Sequence, residues 1–147
     1  MPWCNNPSVK LQDLYDQVYS HLISSSKHQE AILRVLGQII IATYMPPDMG
    51  IIGSPANTTH PSWIETILGL ERGSTLRVIA DVRMMLEVGR TNIKIQDPAF
   101  QDFLLDRSRS KDLYVDLNDA RLTLQLAIIR KVFGAQSTWR ILSIYFL

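Results

Sequence analysis

A mainly α-helical domain with a small two-stranded β wing is the architecture this sequence predicts. Three observations point to it. Apolar residues recur at helical spacing in two runs between positions 11 and 43. Two further helical runs, joined by a glycine-bounded turn at 69–73, fill positions 62–88. Two short strand-like runs, NIKIQ (92–96) and DLYVDL (112–117), flank a phenylalanine-rich segment.

Residues 1–10 are polar and broken by proline, and are expected to be loose. The first helix spans 11–22, with Leu11, Leu14, Tyr15, Val18 and Leu22 as its inward stripe and Asp13, Asp16 and Gln17 on the opposite face. The polar run 24–29 ends it. Ser26 is positioned to cap a second helix reaching about Thr43, with Ile32, Val35, Leu36, Ile39 and Ile40 inward. Gly37 inside that helix costs about 1 kcal/mol relative to alanine, so its presence predicts close approach of a neighbouring helix. Residues 45–61 hold four prolines and two glycines and read as a long loop.

Ser62 and Glu65 match a capping box for the next helix, whose apolar face is Trp63, Ile64, Ile67 and Leu68. After the turn, Ser74 is the expected cap of a helix running to Val88, with Leu76, Ile79, Val82 and Leu86 inward and Gly89 as its stop. Ile93 and Ile95 alternate with Asn92, Lys94 and Gln96 as a half-buried strand. Asp97 followed by Pro98 predicts an N-cap and first helical position, opening a short helix built on Phe100, Phe103 and Leu104. Residues 106–112 read as a charged, solvated turn containing Arg107, Arg109 and Lys111. The strand 112–117 is expected to pair with 92–96. Asp116 or Asn118 caps a last helix, 119–133, with Leu122, Leu124, Ala127, Ile128 and Val132 on its apolar face. Gly134 closes it, leaving an apolar tail at 135–147 with no charge after Arg140.

The 147 residues, 46% apolar and 20% charged, suit one globular domain at 11–134. The formal net charge of +1 offers no surplus to attract nucleic acid or an anionic membrane. A single cysteine, Cys4, cannot form an internal disulfide, and the first residues lack the apolar core of a signal peptide. Both favour a cytoplasmic setting. The triplet Asn57-Thr58-Thr59 is a glycosylation acceptor only outside that setting.

Chemistry-bearing motifs are sparse. None of the seven glycines precedes a lysine, so there is no phosphate-binding G-x-x-x-x-G-K-[ST] loop. His21, His28 and His60 are scattered, without zinc-ligand spacing. No nucleophile elbow exists, and Cys4 has no histidine near it in sequence. Asp102 and Asp106 fall on one helical face and read as solvated. The expectation is therefore no catalytic residues, no cofactor and no metal. Arg77, Arg83, Arg90 and Lys94 on the helix-turn-helix would meet phosphates in a DNA reader, but Asp81 and Glu87 share the segment.

The run FQDFLLDRSRS (100–110) with DLYVDL after it, preceded by LGLERG (68–73), resembles the winged-helix region that follows the nucleotide-binding core in fungal NACHT-type (STAND) signalling NTPases. The resemblance covers about residues 11–134. It implies a winged-helix fold and a non-enzymatic regulatory role. In that role the winged helix packs on a nucleotide-binding domain, in cis or in trans, and helps control its ADP/ATP switch. In the family a histidine at the wing–helix junction reaches the β-phosphate of ADP. Here Asp97 stands in that place and Ala99 replaces a serine, which puts phosphate sensing at this position in question. Trp63, Ile64, Asp97, Phe100, Phe103, Arg107 and Arg109 are the structural or interaction residues this reading names. A homo-oligomer stays open, a membrane partner is not expected, and the alternatives are a DNA-binding regulator or a helical adaptor.

Overall fold

The computed structural model describes residues 7–44 and 59–145, with side chains described for 11–44 and 59–131. Seven α-helices and one β-hairpin are present in that range: α1 (Pro7–Ser24), α2 (Gln29–Tyr44), α3 (Pro61–Leu68), α4 (Ser74–Val78), β1 (Leu86–Val88), β2 (Ile93–Ile95), α5 (Pro98–Leu105), α6 (Arg107–Ser110) and α7 (Leu117–Tyr145). The chain is thus mainly helical with a small antiparallel sheet, as expected.

The centre of the core is α2. Ile32, Val35, Leu36, Ile39 and Ile40 are all buried, matching the predicted stripe. Helices α3 and α7 pack against it. A Cβ on Gly37 would lie 3.2 Å from the Ala120 Cβ and 3.4 Å from Val115 Cγ1, so glycine lets α7 come close. Beside it the buried Gln38 donates from Nε2 to the Ala120 carbonyl at 2.9 Å, a polar bond that fixes the register of the two helices.

Several sequence expectations need correction. Helix α1 starts at Pro7, so the stretch expected to be loose is already helical there; residues 1–6 lie outside the described residues. Its buried face is Tyr19 and Ile23, whereas Leu11, Leu14, Tyr15 and Val18 are exposed. The slot beneath α1 is aromatic and takes one large ring, so the face with fewer apolar residues wins. Asp16 likewise turns inward, to Arg109.

Helix α3 is capped by His60, not by a Ser62–Glu65 box. The His60 Nδ1 accepts from the Ser62 amide at 3.1 Å. Glu65 is buried and accepts from the Thr75 amide at 3.1 Å, so it satisfies the start of the following helix across the turn. Gly69 (φ 67°) and Gly73 (φ 82°) both take the left-handed conformation this tight turn requires. Ser74 is not the cap; it is the first residue of α4, and its hydroxyl donates to the Glu71 carbonyl.

The predicted helix to Val88 ends at Val78 and continues as a 3₁₀ helix, Ile79–Met85. Side chains three apart eclipse in that geometry, which suits the buried Ile79 and Val82 and the half-buried Met85. Leu76 points outward. Gly89 is no helix stop but part of the hairpin turn, where its amide donates to the Asn92 carbonyl at 2.8 Å.

The strand expected at 92–96 is present as β2, but its partner differs. β2 pairs antiparallel with β1, with Leu86 opposite Ile95, Glu87 opposite Lys94 and Val88 opposite Ile93. A four-residue turn closes this hairpin locally, at less entropic cost than reaching residue 112. The Ile93 amide donates to the Thr59 carbonyl on the other edge, at 3.3 Å. Residues 112–117 form no strand. Lys111–Leu113 is a 3₁₀ turn, and Val115 instead donates its amide to the Leu104 carbonyl at 2.9 Å, plugging the end of α5. The charged turn is the short helix α6, capped by Asp106, which accepts from the Ser108 amide at 3.0 Å.

Asp116 caps α7 through the amides of Asn118 and Asp119. That helix passes through Gly134 and runs to Tyr145; a glycine without a following proline weakens a helix but does not end it. Leu122 faces solvent, while Leu124 is buried and Ala127 and Ile128 pack against the core. The side chains of the predicted tail, and most of the long loop (45–58), lie outside the described residues.

Lys111 adopts φ 53° and ψ −113°, unfavourable for any residue with a Cβ. Lys111→Gly is expected to stabilise the fold by about 1 kcal/mol, read as a raised urea midpoint at unchanged m-value.

Candidate interaction site

Four of the sequence-predicted residues converge where α1 crosses α5 and α6. The sequence places Asp97 at the start of α5, and the structure puts it there as the N-cap: one carboxylate oxygen accepts from the Ala99 amide at 3.0 Å. The other accepts from the Tyr19 hydroxyl at 2.7 Å. Both acceptors are therefore engaged inside the protein, one along α5 and one towards α1.

Tyr19 is buried against the two phenylalanines predicted for α5. Its ring lies 5.1 Å from Phe100 and 5.4 Å from Phe103, tilted by about 50° in each case, the edge-inclined geometry that aromatic quadrupoles favour. Phe100 and Phe103 themselves are fully buried. Burial first, and the bond to the Asp97 carboxylate second, push the Tyr19 hydroxyl well above the usual phenol range, so it remains a donor.

One helical turn away, Arg109 makes a two-pronged contact with Asp16, Nη2 to Oδ1 at 2.7 Å and Nε to Oδ2 at 3.2 Å. Both side chains are about four-fifths buried, so the pair is neither solvated nor loose. The hydrogen bonds from Arg109 to Asp16 hold the guanidinium above its ordinary pKa despite partial burial. The guanidinium also lies 5.9 Å from the centre of the Phe103 ring. Arg107 points elsewhere, over the Tyr114 ring at 5.6 Å.

Trp63 and Ile64 are not part of this cluster. They are buried on α3 beneath α7, with the Lys131 ammonium 4.5 Å from the centre of the Trp63 ring. The Trp63 indole nitrogen is buried and has no hydrogen-bond partner among the described residues.

Sequence reasoning missed Tyr19 and Asp16, the two residues that join α1 to α5 and α6 in this cluster. The signal was present but outnumbered: Asp16, Tyr19 and Ile23 share one face at spacings of three and four, against five apolar residues on the other. Among the described residues no three of His, Cys, Asp and Glu gather as a metal set, and no helix is long and apolar enough to cross a membrane. The cluster works as a clip, two polar contacts flanking an aromatic stack that fasten α1 to the second half of the chain.

Tyr19→Phe keeps the stack and loses the bond to Asp97. A hydrogen bond to a charged acceptor contributes about 1.5–3 kcal/mol; partial exposure of Asp97 favours the lower end. The urea midpoint is expected to fall accordingly, with far-ultraviolet circular dichroism unchanged.

Comparison with protein-family models, with characterised proteins and with solved structures finds no match for this chain.

Proposed function

We propose that this chain is a non-enzymatic regulatory module of the winged-helix kind. In this reading it packs on the nucleotide-binding core of a NACHT-type signalling NTPase and biases that core between its ADP and ATP states. The observation that carries the reading is an order of elements: α3, a five-residue turn and α4 are followed at once, through the 3₁₀ segment, by a β-hairpin. That order supports a reading as a helix-turn-helix followed by a wing. The same unit exposes Leu76 at 49% and Met84 at 70% of their surfaces, apolar side chains suited to a protein partner.

The position of Asp97 supports a chain that holds no nucleotide by itself. A carboxylate whose two oxygens already serve Ala99 and Tyr19 is poorly placed to receive a phosphate, which it would repel. In this reading the partner supplies the phosphate-binding loop. This chain alone is expected to bind neither ADP nor ATP in titration calorimetry; low-micromolar affinity for either would overturn that expectation. The direct test is co-purification with a P-loop ATPase lobe of the NACHT class, expected to be lost in Leu76→Glu/Met84→Glu. Failure of the wild-type chain to retain such a lobe defeats the proposal.

A DNA-binding role is the second reading, favoured by the exposed cations Arg77, Arg83, Arg90 and Lys94 on the same unit. It requires duplex affinity that falls steeply with salt and is lost in Arg77→Ala/Arg83→Ala. A flat titration at low salt removes it.

A further inference from the structure

We infer that the cleft between the first half of α2 and the start of α7 is a binding site for an aliphatic diamine or polyamine. Its volume is about 430 Å³, inside the range of about 300–1,000 Å³ usual for small-molecule sites. The floor lies where the two helices touch, at the buried Gly37, Gln38 and Ala120. The rim carries three exposed carboxylates, Glu30, Asp116 and Asp119, against one exposed guanidinium, Arg34.

The free polar atoms point to the class of ligand. Gln38 is only 3% exposed, and its Nε2 is committed to the Ala120 carbonyl at 2.9 Å. Its Oε1 has no hydrogen-bond partner among the described residues, yet it is not sealed off, for the buried orphan there is the Trp63 indole nitrogen. The cleft is the opening left to it. Thr123 donates its hydroxyl to the Asp119 carbonyl at 3.0 Å and keeps its lone pairs for the cleft. Asp116 gives Oδ1 to the amides of Asn118 and Asp119 and keeps Oδ2. The carboxylates of Glu30 and Asp119 make no ion pair among the described residues. Acceptors predominate, and an ammonium, with three donors and no acceptor, complements them.

The spacing of the carboxylates asks for more than one ammonium. Glu30 lies two helical turns before Gly37, roughly 10 Å along α2, whereas Asp119 is next to Ala120, which rests on Gly37. Among the described residues no three acidic groups gather closely enough to hold a metal ion. Between the two ends the walls are apolar, formed by Leu33, Leu68 and Val115. A methylene chain with an ammonium at each end matches this layout, with its heads on the carboxylates and its stem along the walls.

Solvent sets the strength. The rim carboxylates are exposed, and Glu30 and Asp119 also offset the positive first turns of α2 and α7. Each ion pair is therefore weak. A dissociation constant on the order of 100 µM to 1 mM is expected at low salt, rising with ionic strength.

Titration of the full chain with spermidine at low salt, followed in amide nuclear magnetic resonance spectra, tests this. Saturable shifts are expected at Gly37, Gln38 and Ala120. Butylamine, a similar stem with one ammonium, should bind about fivefold more weakly or worse. Glu30→Gln/Asp119→Asn should weaken spermidine about tenfold, the size expected for losing two exposed ion pairs. Asp13→Asn/Asp81→Asn changes the net charge equally at exposed positions elsewhere and should leave binding unchanged. The dispersion of the same spectra reports whether each variant is folded. No saturable shift at those three residues up to about 10 mM spermidine overturns the inference. So does equal weakening in the two double variants, which would reduce the effect to net charge, and so does butylamine binding as tightly as spermidine. Neither double variant touches Leu76 or Met84, so co-purification with an ATPase lobe can succeed or fail independently.

Discussion

Phe103→Ala is expected to destabilise the protein by about 3–5 kcal/mol, the usual range for emptying a buried phenylalanine site. The Phe103 ring is fully buried, lies 5.4 Å from Tyr19 and sits beneath the Arg109 guanidinium. Its loss leaves a void beneath α1, so the aromatic stack and the seat of the Asp16–Arg109 pair suffer together. Domains of this size have only about 5–15 kcal/mol of net stability. A urea midpoint lowered by that amount, with a melting temperature lower by roughly 10 °C or more, is the expected result. Leu14→Ala is the control. The periodicity of the sequence puts Leu14 in the core, yet it is 60% exposed, so its truncation should change stability by no more than about 0.5 kcal/mol. Equal effects of the two substitutions would show that the α1 face is assigned the wrong way round.

Glu65→Ala is the second large effect. The Glu65 carboxylate is 6% exposed and takes the Thr75 amide at the start of α4. Deleting it leaves a buried donor unsatisfied at a cost of about 1–3 kcal/mol, more when the lost acceptor was charged; a total of about 2–3 kcal/mol is expected. Glu65→Gln, which retains a neutral acceptor, should lose less. Burial pushes the Glu65 carboxyl up, but backbone bonds from Gly73 and Thr75, the Thr75 hydroxyl and the nearby Arg72 charge outweigh it and hold it below the usual range. A depressed folded-state pKa means that Glu65 binds its proton more readily when unfolded. Its contribution is therefore complete above the ordinary glutamate value of about 4.3 and fades as pH falls from there through the folded value. Urea midpoints measured from pH 6 downward should decline more steeply for the wild type than for Glu65→Ala. Parallel curves would show that Glu65 is not the carboxylate responsible.

What could be read from the sequence was whatever depended on local chemistry. The Asp97–Pro98 start of α5, the Asp116 cap, the α2 stripe and the close approach at Gly37 all follow from residues within a turn or two of each other, or from one uniformly apolar face. What could not be read depended on partners far along the chain. Tyr19 meets Asp97 78 positions away, and Arg109 meets Asp16 93 positions away. Periodicity counts apolar residues and cannot know that the receiving slot is aromatic, so it assigned α1 to its outer face and left Arg109 in solvent. Glu65 shows the same limit on a shorter scale. Its position three after Ser62 fits a capping box, but His60 already serves that amide, which releases the carboxylate for the next helix. The pairing of 92–96 was misplaced because residues 86–88 continue the apolar spacing of the helix before them, and only the tight turn at 89–92 makes them the partner strand.

Helix α7 is 29 residues long and meets α2 near its beginning, where Ala120 rests on Gly37. Farther along, Leu124, Ala127 and Ile128 are seated on the core as well. At 1.5 Å per residue, positions 120–128 are about 12 Å of anchored rod. A bulkier side chain at position 37 has to lift that whole length, so a single methyl group there is resisted by two turns of helix at once.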